Sequence, residues 1–176
     1  GKIACKNGQS KWITSAAARV FAHKIRLKND AIMIGSGTLK KDNPYLDCRL
    51  KGVQKPPAIK VILDSKGAIS DPGLNVFKSG FVWSFGAKND FCCKNFINFP
   101  TCINADGYTS LHHVVYKLAE LGISNLLVEG GAKVAIVCVQ PCRKKICIYG
   151  SNLKSTISYI CRKIKYTVVF ELITIL

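Results

Sequence analysis

A chain of 176 residues has room for one domain with a full hydrophobic core. Apolar residues at 48% and charged residues at 20% exclude a wholly disordered chain. Lys and Arg number 26 against 10 Asp and Glu, and this net charge of +16 favours phosphorylated partners: nucleic acid, a dinucleotide or a sugar phosphate. The lysines run from Lys2 to Lys165 without forming one basic arm, so a compositional bias rich in Lys, Ile and Asn explains the charge better than a ligand does.

In chain order, Thr14 or Ser15 can cap a first helix through an alanine run, with Val20, Phe21 and Ile25 as its apolar stripe. Residues 31–34 read as a buried strand ending at Gly35-Ser36-Gly37, after which Thr38 can cap a short helical turn stopped by Pro44. Apolar strands follow at 59–63 and 81–85. The tract 86–107 is polar and irregular, with one or two short strands near 96–103. Ser110 opens a second helix on Leu111, Val114, Val115, Leu118 and Leu121, and Gly122 sits where a left-handed residue ends it. A strand at 125–128 leads to Glu129-Gly130-Gly131 and a helix over 132–139. The alternation predicts an α/β sheet with helices packed on it. After Cys138 only Glu171 is acidic, and strands at 145–149 and 166–176 close the reading.

Nine cysteines without a C-x-x-C, and Cys138, Cys142 and Cys147 spaced wrongly for a tetrahedral site, argue against metal and for reduced thiols in the cytoplasm. Residues 1–10 are polar and basic, unlike a signal peptide. The apolar tail is too short to span a bilayer, so no membrane partner is expected.

Two places can take phosphate. Glu129-Gly130-Gly131 and Gly35-Ser36-Gly37-Thr38 each follow a strand and open a helix, where glycines admit a close approach and free N–H groups face outward. Each reads equally as a tight strand-to-helix turn. Together they suggest a dinucleotide crevice, although neither is G-x-G-x-x-G. Glu129 can meet a substrate hydroxyl or imino group, or serve the helix dipole. Arg26 and Arg49, among only five arginines, suit bidentate phosphate binding or a solvated surface. His23, His112 and His113 lack a partner at metal spacing and read as helix-surface or core residues. Trp12 in a polar loop can stack on a ligand or plug the first helix.

The blocks Gly1-Lys2-Ile3-Ala4, Gly8 to Thr14, Ala18-Arg19 with the spacing to Arg26, Asp30 to Thr38, Asp42-Asn43-Pro44 with Leu46, Cys48 and Arg49, Val61 to Ser65, and Leu126 to Ala132 resemble the reductase domain of the riboflavin-biosynthesis deaminase/reductase family. The resemblance implies a dihydrofolate-reductase-like α/β fold, a mixed sheet flanked by helices in one domain. It implies NADPH-dependent reduction of 5-amino-6-(5-phosphoribosylamino)uracil to the ribitylamino compound. By the same resemblance Trp12, Thr38, Asp42, Ser65, Gly131, Ala132, Lys133, Val134, Ala135, Ile136 and Val137 hold the cofactor. Lys2, Ser10, Arg26, Leu46, Arg49 and Glu129 hold the substrate, and Glu129 acts in catalysis. The core spans 1–138, with 139–176 divergent. The family's first strand and a Ser-Leu-Asp before Gly1 are missing, as is the Pro-x-Leu-x-Gly turn near the end, so the domain reads as incomplete at both ends. A homodimer and a deaminase domain in a longer parent chain are expected. Two other readings compete: an inactive relic binding anions or nucleic acid through its basic surface, and a pterin reductase of the same fold. No basic stripe interleaved with aromatics supports nucleic acid, and the Ser10, Arg26 and Arg49 set argues for a phosphorylated substrate.

Overall fold

Strand β1 (Ala31–Gly35) is the axis of the molecule. Its first four residues are buried, as a strand covered on both faces requires. It pairs in parallel with β2 (Ile59–Asp64) on one side and with β5 (Asn125–Val128) on the other. Beyond β2 lie β3 (Val82–Gly86) and β4 (Phe96–Pro100), both parallel. Beyond β5 comes β8 (Ile164–Val169), parallel to it, then β7 (Thr156–Cys161) and β6 (Cys147–Ile148), each antiparallel to its neighbour. The sheet order is therefore β4-β3-β2-β1-β5-β8-β7-β6. This computed structural model describes residues 16–50, 52–53, 56–129, 134, 147–148, 156–161 and 164–169.

Strand alternation sends side chains to two cores. On one face, helix α3 (Leu111–Glu120) lays Leu111, Val114, Val115 and Leu118 against Met33, Val61, Phe85, Leu126 and Val128. On the other, Ile32, Ile34, Ile62 and Leu127 meet Leu39 of helix α2 (Ser36–Asp42), Ile25 of helix α1 (Ala16–Leu27), and Val76 of a 3-10 turn over Asn75–Lys78. The mixed sheet with helices on its faces, expected from the sequence, is present. Among the described residues no helix is long and apolar enough to cross a membrane.

Tertiary contacts override several local signals. Helix α2 begins at Ser36 with Gly35 in the cap position, so Thr38 lies inside it and caps nothing. Asn43 ends the helix in the left-handed region, its N–H donating to the Leu39 carbonyl. Ser110 does precede α3, but its hydroxyl makes no capping bond, and Gly122 is left-handed at φ 85° as expected. Of the stripe assigned to α1, Ile25 packs on the sheet while Val20 and Phe21 stay exposed. The Asn75–Lys78 turn and strand β7 had no local signal strong enough to single them out. Asp30 fixes the start of the β1–β5 pair: its Oδ2 accepts the N–H groups of Ser124 and Asn125 at 3.1 and 2.8 Å.

Candidate active site

The chain leaves β1 for β2 on one side and returns to the other side as β5. Strand order thus reverses between β1 and β5, and a crevice outside their carboxyl ends is where an open α/β sheet offers a ligand site. Gly35 ends β1 there, and Glu129 follows β5 directly. The Glu129 N–H donates to the Met33 carbonyl at 2.9 Å, which ties its backbone to β1. Val134 packs beside Gly35: a Cβ at Gly35 would stand 3.1 Å from Val134 Cγ2.

Arg26 reaches this point from the last turn of α1. Its Nε and Nη2 donate to Glu129 Oε1 and Oε2, each at 2.6 Å, a two-pronged pair that fits the planar guanidinium to the carboxylate. Both side chains are largely covered, at 17% and 14% exposure. Nη1 donates to the Asp47 carbonyl at 2.9 Å, in the segment after α2. In that segment Leu46 is buried and left-handed at φ 50°. A non-glycine residue there costs about 1 kcal/mol, which its burial in the second core offsets. A pocket lined by Arg26, Leu46, Asp47, Ala58 and Ser79 opens beside it.

Arg49 lies at the rim of the same segment. Its Nε is 3.2 Å from Asp47 Oδ1, its guanidinium sits over the Tyr45 ring, and its side chain is 61% exposed. Its backbone N–H donates to His23 Nδ1 at 3.4 Å. Burial, and then the charges of Arg26 and Arg49, push the His23 imidazole below its ordinary value of 6.5, against the opposing pull of Asp47. The sequence reading missed His23 and Asp47 as neighbours of the site. The helical spacing of His23 to Arg26 was the signal that could have found the first.

Ser65 stands one strand away, at the end of β2. Its hydroxyl accepts the Thr109 N–H at 2.8 Å and shares a hydrogen bond with the Thr109 hydroxyl at 2.9 Å. Thr38 and Asp42 lie in α2, which starts from the same end of β1. Of the residues assigned from the sequence, the structure thus joins Arg26 to Glu129 directly, with Leu46 and Arg49 in the adjoining segment. Ser65 makes a separate network. Lys2, Ser10, Trp12, Gly131, Ala132, Lys133, Ala135, Ile136 and Val137 lie outside the described residues.

The family model of the RibD C-terminal domain matches residues 1–140. The chain belongs to that family. The riboflavin biosynthesis protein RibD of Bacillus amyloliquefaciens is 39% identical over 142 residues, covering 76% of this chain and 37% of that protein. A protein of Buchnera aphidicola named 5-amino-6-(5-phosphoribosylamino)uracil reductase is 37% identical over 97 residues, 48% of this chain and 46% of its own length. The chain therefore covers less than half the length of these relatives. Among solved structures, a Thermotoga maritima diaminohydroxyphosphoribosylaminopyrimidine deaminase/5-amino-6-(5-phosphoribosylamino)uracil reductase superposes with a TM-score of 0.65 at 35% identity, over 76% of this chain and 36% of that one. Membership of the RibD C-terminal domain family accounts for the fold read from the sequence, dihydrofolate-reductase-like in its sheet and helices. It also draws attention to Arg26 and Glu129, which lie within the matched residues.

Proposed function

We propose that this chain is the reductase part of a riboflavin-pathway enzyme, reducing 5-amino-6-(5-phosphoribosylamino)uracil to its ribitylamino product with NADPH. The observation that carries the reading is the Arg26–Glu129 pair placed where strand order reverses between β1 and β5. A dinucleotide would meet the end of β1, where the missing Cβ of Gly35 leaves room for Val134, and the Ser65 hydroxyl at the next strand end. Thr38, Asp42, Ser65 and Val134 are the described residues that would hold it, and NADPH would supply the hydride. The parent chain would carry a deaminase domain, as the Thermotoga protein's description implies for that protein, and would pair as a homodimer.

The substrate's ribosylamine opens to an imine at C1, which accepts a hydride while its nitrogen keeps a proton. The chain's own part is position and charge. Glu129, or a water it orients, stabilises the positive charge of the protonated imine. Arg49 at the exposed rim meets the phosphate by charge-assisted hydrogen bonds.

The test follows the reduced-nicotinamide absorbance with the purified protein, NADPH and the phosphoribosylamino-pyrimidine. Oxidation of NADPH that depends on the pyrimidine is expected, and its absence in folded protein refutes the reading. Glu129→Gln should slow single-turnover hydride transfer about a hundredfold, the usual scale for a lost positioned acid or base. An unchanged rate would remove Glu129 from the chemistry.

A further inference from the structure

The Ser65 hydroxyl, just past the end of β2, is turned by a single residue 44 positions away. Its oxygen accepts the Thr109 N–H at 2.8 Å, and the Ser65 and Thr109 hydroxyls share a hydrogen bond at 2.9 Å. The Thr109 hydroxyl also donates to the Phe85 carbonyl of β3 at 3.3 Å. Ser65 is partly buried and Thr109 is buried. Thr109 itself stands on a rigid frame. Between β4 and α3 the chain makes a hairpin-like excursion, closed at its base by an antiparallel bridge of Ile103 to Thr109 and by the Ser110 N–H donating to the Cys102 carbonyl at 2.9 Å. Asn104 ties the tip: its carbonyl accepts the Gly107 N–H at 3.0 Å, and its Oδ1 accepts the Tyr108 N–H at 2.8 Å. The excursion leaves the sheet at Thr101, whose N–H donates to the Gly86 carbonyl at 2.8 Å. It returns at Leu111 and Val114, both sunk in the first core. Anchored at both ends, Thr109 can dictate the direction of a hydroxyl on another strand.

We propose that Thr109 is a positioning residue for the dinucleotide: its hydroxyl holds the Ser65 hydroxyl in the orientation that meets the cofactor, and so sets the affinity for it. This rests on the reductase reading and deepens it. A serine hydroxyl without such a hold samples about three rotamers, and only one of them faces a ligand correctly. Ordering it beforehand removes that cost from binding. Losing the Thr109 hydroxyl therefore weakens the cofactor and leaves the chemical step, one strand away at Glu129, little changed.

The experiment measures the dissociation constant of NADPH from its nicotinamide fluorescence, without substrate, and then kcat and the KM for NADPH. Thr109→Val keeps the side-chain volume and the backbone N–H to Ser65 but removes the hydroxyl. It should raise the dissociation constant and the KM about fivefold, the scale of one lost hydrogen bond, with kcat at saturating NADPH within about twofold of wild type. Thr109→Ala, a second removal of the hydroxyl, should match it, and Thr109→Ser, which restores the hydroxyl, should bind within about twofold of wild type. In a Ser65→Ala background Thr109→Val should change the constant by less than about twofold, because the two residues act as one unit. If the two effects multiply instead, Thr109 does not act through Ser65 and the proposal fails. A Thr109→Val protein with a lowered urea midpoint but an unchanged dissociation constant would make the contact a stability element and overturn the positioning role. So would a Thr109→Ser protein as weak as Thr109→Val, since packing would then explain the loss. Wild type that binds NADPH no differently from Thr109→Val overturns the positioning role alone, whereas wild type that binds no NADPH at all overturns the reductase reading and the positioning role with it.

Discussion

Gly86→Ala lowers the stability of the protein by about 4 kcal/mol, seen as a large fall in the urea midpoint with the slope unchanged. Gly86 ends β3 at φ 149°, a conformation that L side chains rarely adopt. A Cβ there would sit well inside contact distance of the Asp64 carbonyl and 2.9 Å from the Ser65 nitrogen. These are backbone atoms at the paired end of β2, and they cannot swing aside as a flexible side chain could. The same carbonyl accepts the N–H groups of Gly67 and Ala87, so moving it would break two further hydrogen bonds. The disturbance would reach the Ser65–Thr109 network, since Thr109 also donates to the neighbouring Phe85 carbonyl. An alanine variant with wild-type stability would show that β2 and β3 can separate at this end without cost.

A second large effect is pH-dependent and comes from Lys60. Its side chain is fully buried in the middle of β2, and its ammonium donates to the carbonyls of Val76 and Ser79 and to the Ser79 hydroxyl. Burial lowers its pKa from 10.5 to about 8, against a smaller opposing pull from the Asp47 carboxylate. Below the folded value both folded and unfolded chains carry the proton, and this group adds no pH dependence. Between about 8 and 10.5 the folded chain has lost the proton and the unfolded chain still binds it, so stability rises with pH across that window. Measured as wild type relative to Lys60→Met, the gain should be on the order of 2 kcal/mol between neutral pH and about pH 10. Taking the difference removes the titration of the other lysines and tyrosines. A difference that stays flat, or falls, would mean that the three acceptors hold the ammonium against its burial.

Lys60 also marks the limit of what could be read in advance. The stretch 59–63 announces a strand through Ile59, Val61, Ile62 and Leu63, and a strand it is. Nothing local says that the one charged residue within it faces a closed core. That depends on a 3-10 turn some sixteen residues later presenting its carbonyl groups at the right place. Gly86 is a similar case: it follows an apolar run and reads as the start of a loop, and only the approach of Asp64 from β2 makes glycine obligatory.

The candidate site was legible in unequal measure. Glu129 and Gly35 could be placed because both end apolar runs, and a run that stops at a glycine or an acid is a local signal. Arg26 and Arg49 could be noticed as arginines in a lysine-rich chain. That Arg26 pairs with Glu129 could not be read from the sequence, because the two lie 103 residues apart and meet only when β5 is inserted beside β1. Strand insertion is a long-range event, decided by which apolar faces can be buried together and by Asp30 accepting from Ser124 and Asn125.

By itself the sequence determined the class of fold and most of the strands and helices around the core, and it singled out Arg26, Arg49, Gly35 and Glu129 as candidates for a site. Apolar periodicity and breaker residues act over a few positions, so they survive without a structure. Only the tertiary structure decided the order of the strands, the burial of Lys60, the need for glycine at position 86 and the pairing of Glu129 with Arg26. Each depends on groups far apart in the chain being held within hydrogen-bond or contact distance, which no local pattern encodes.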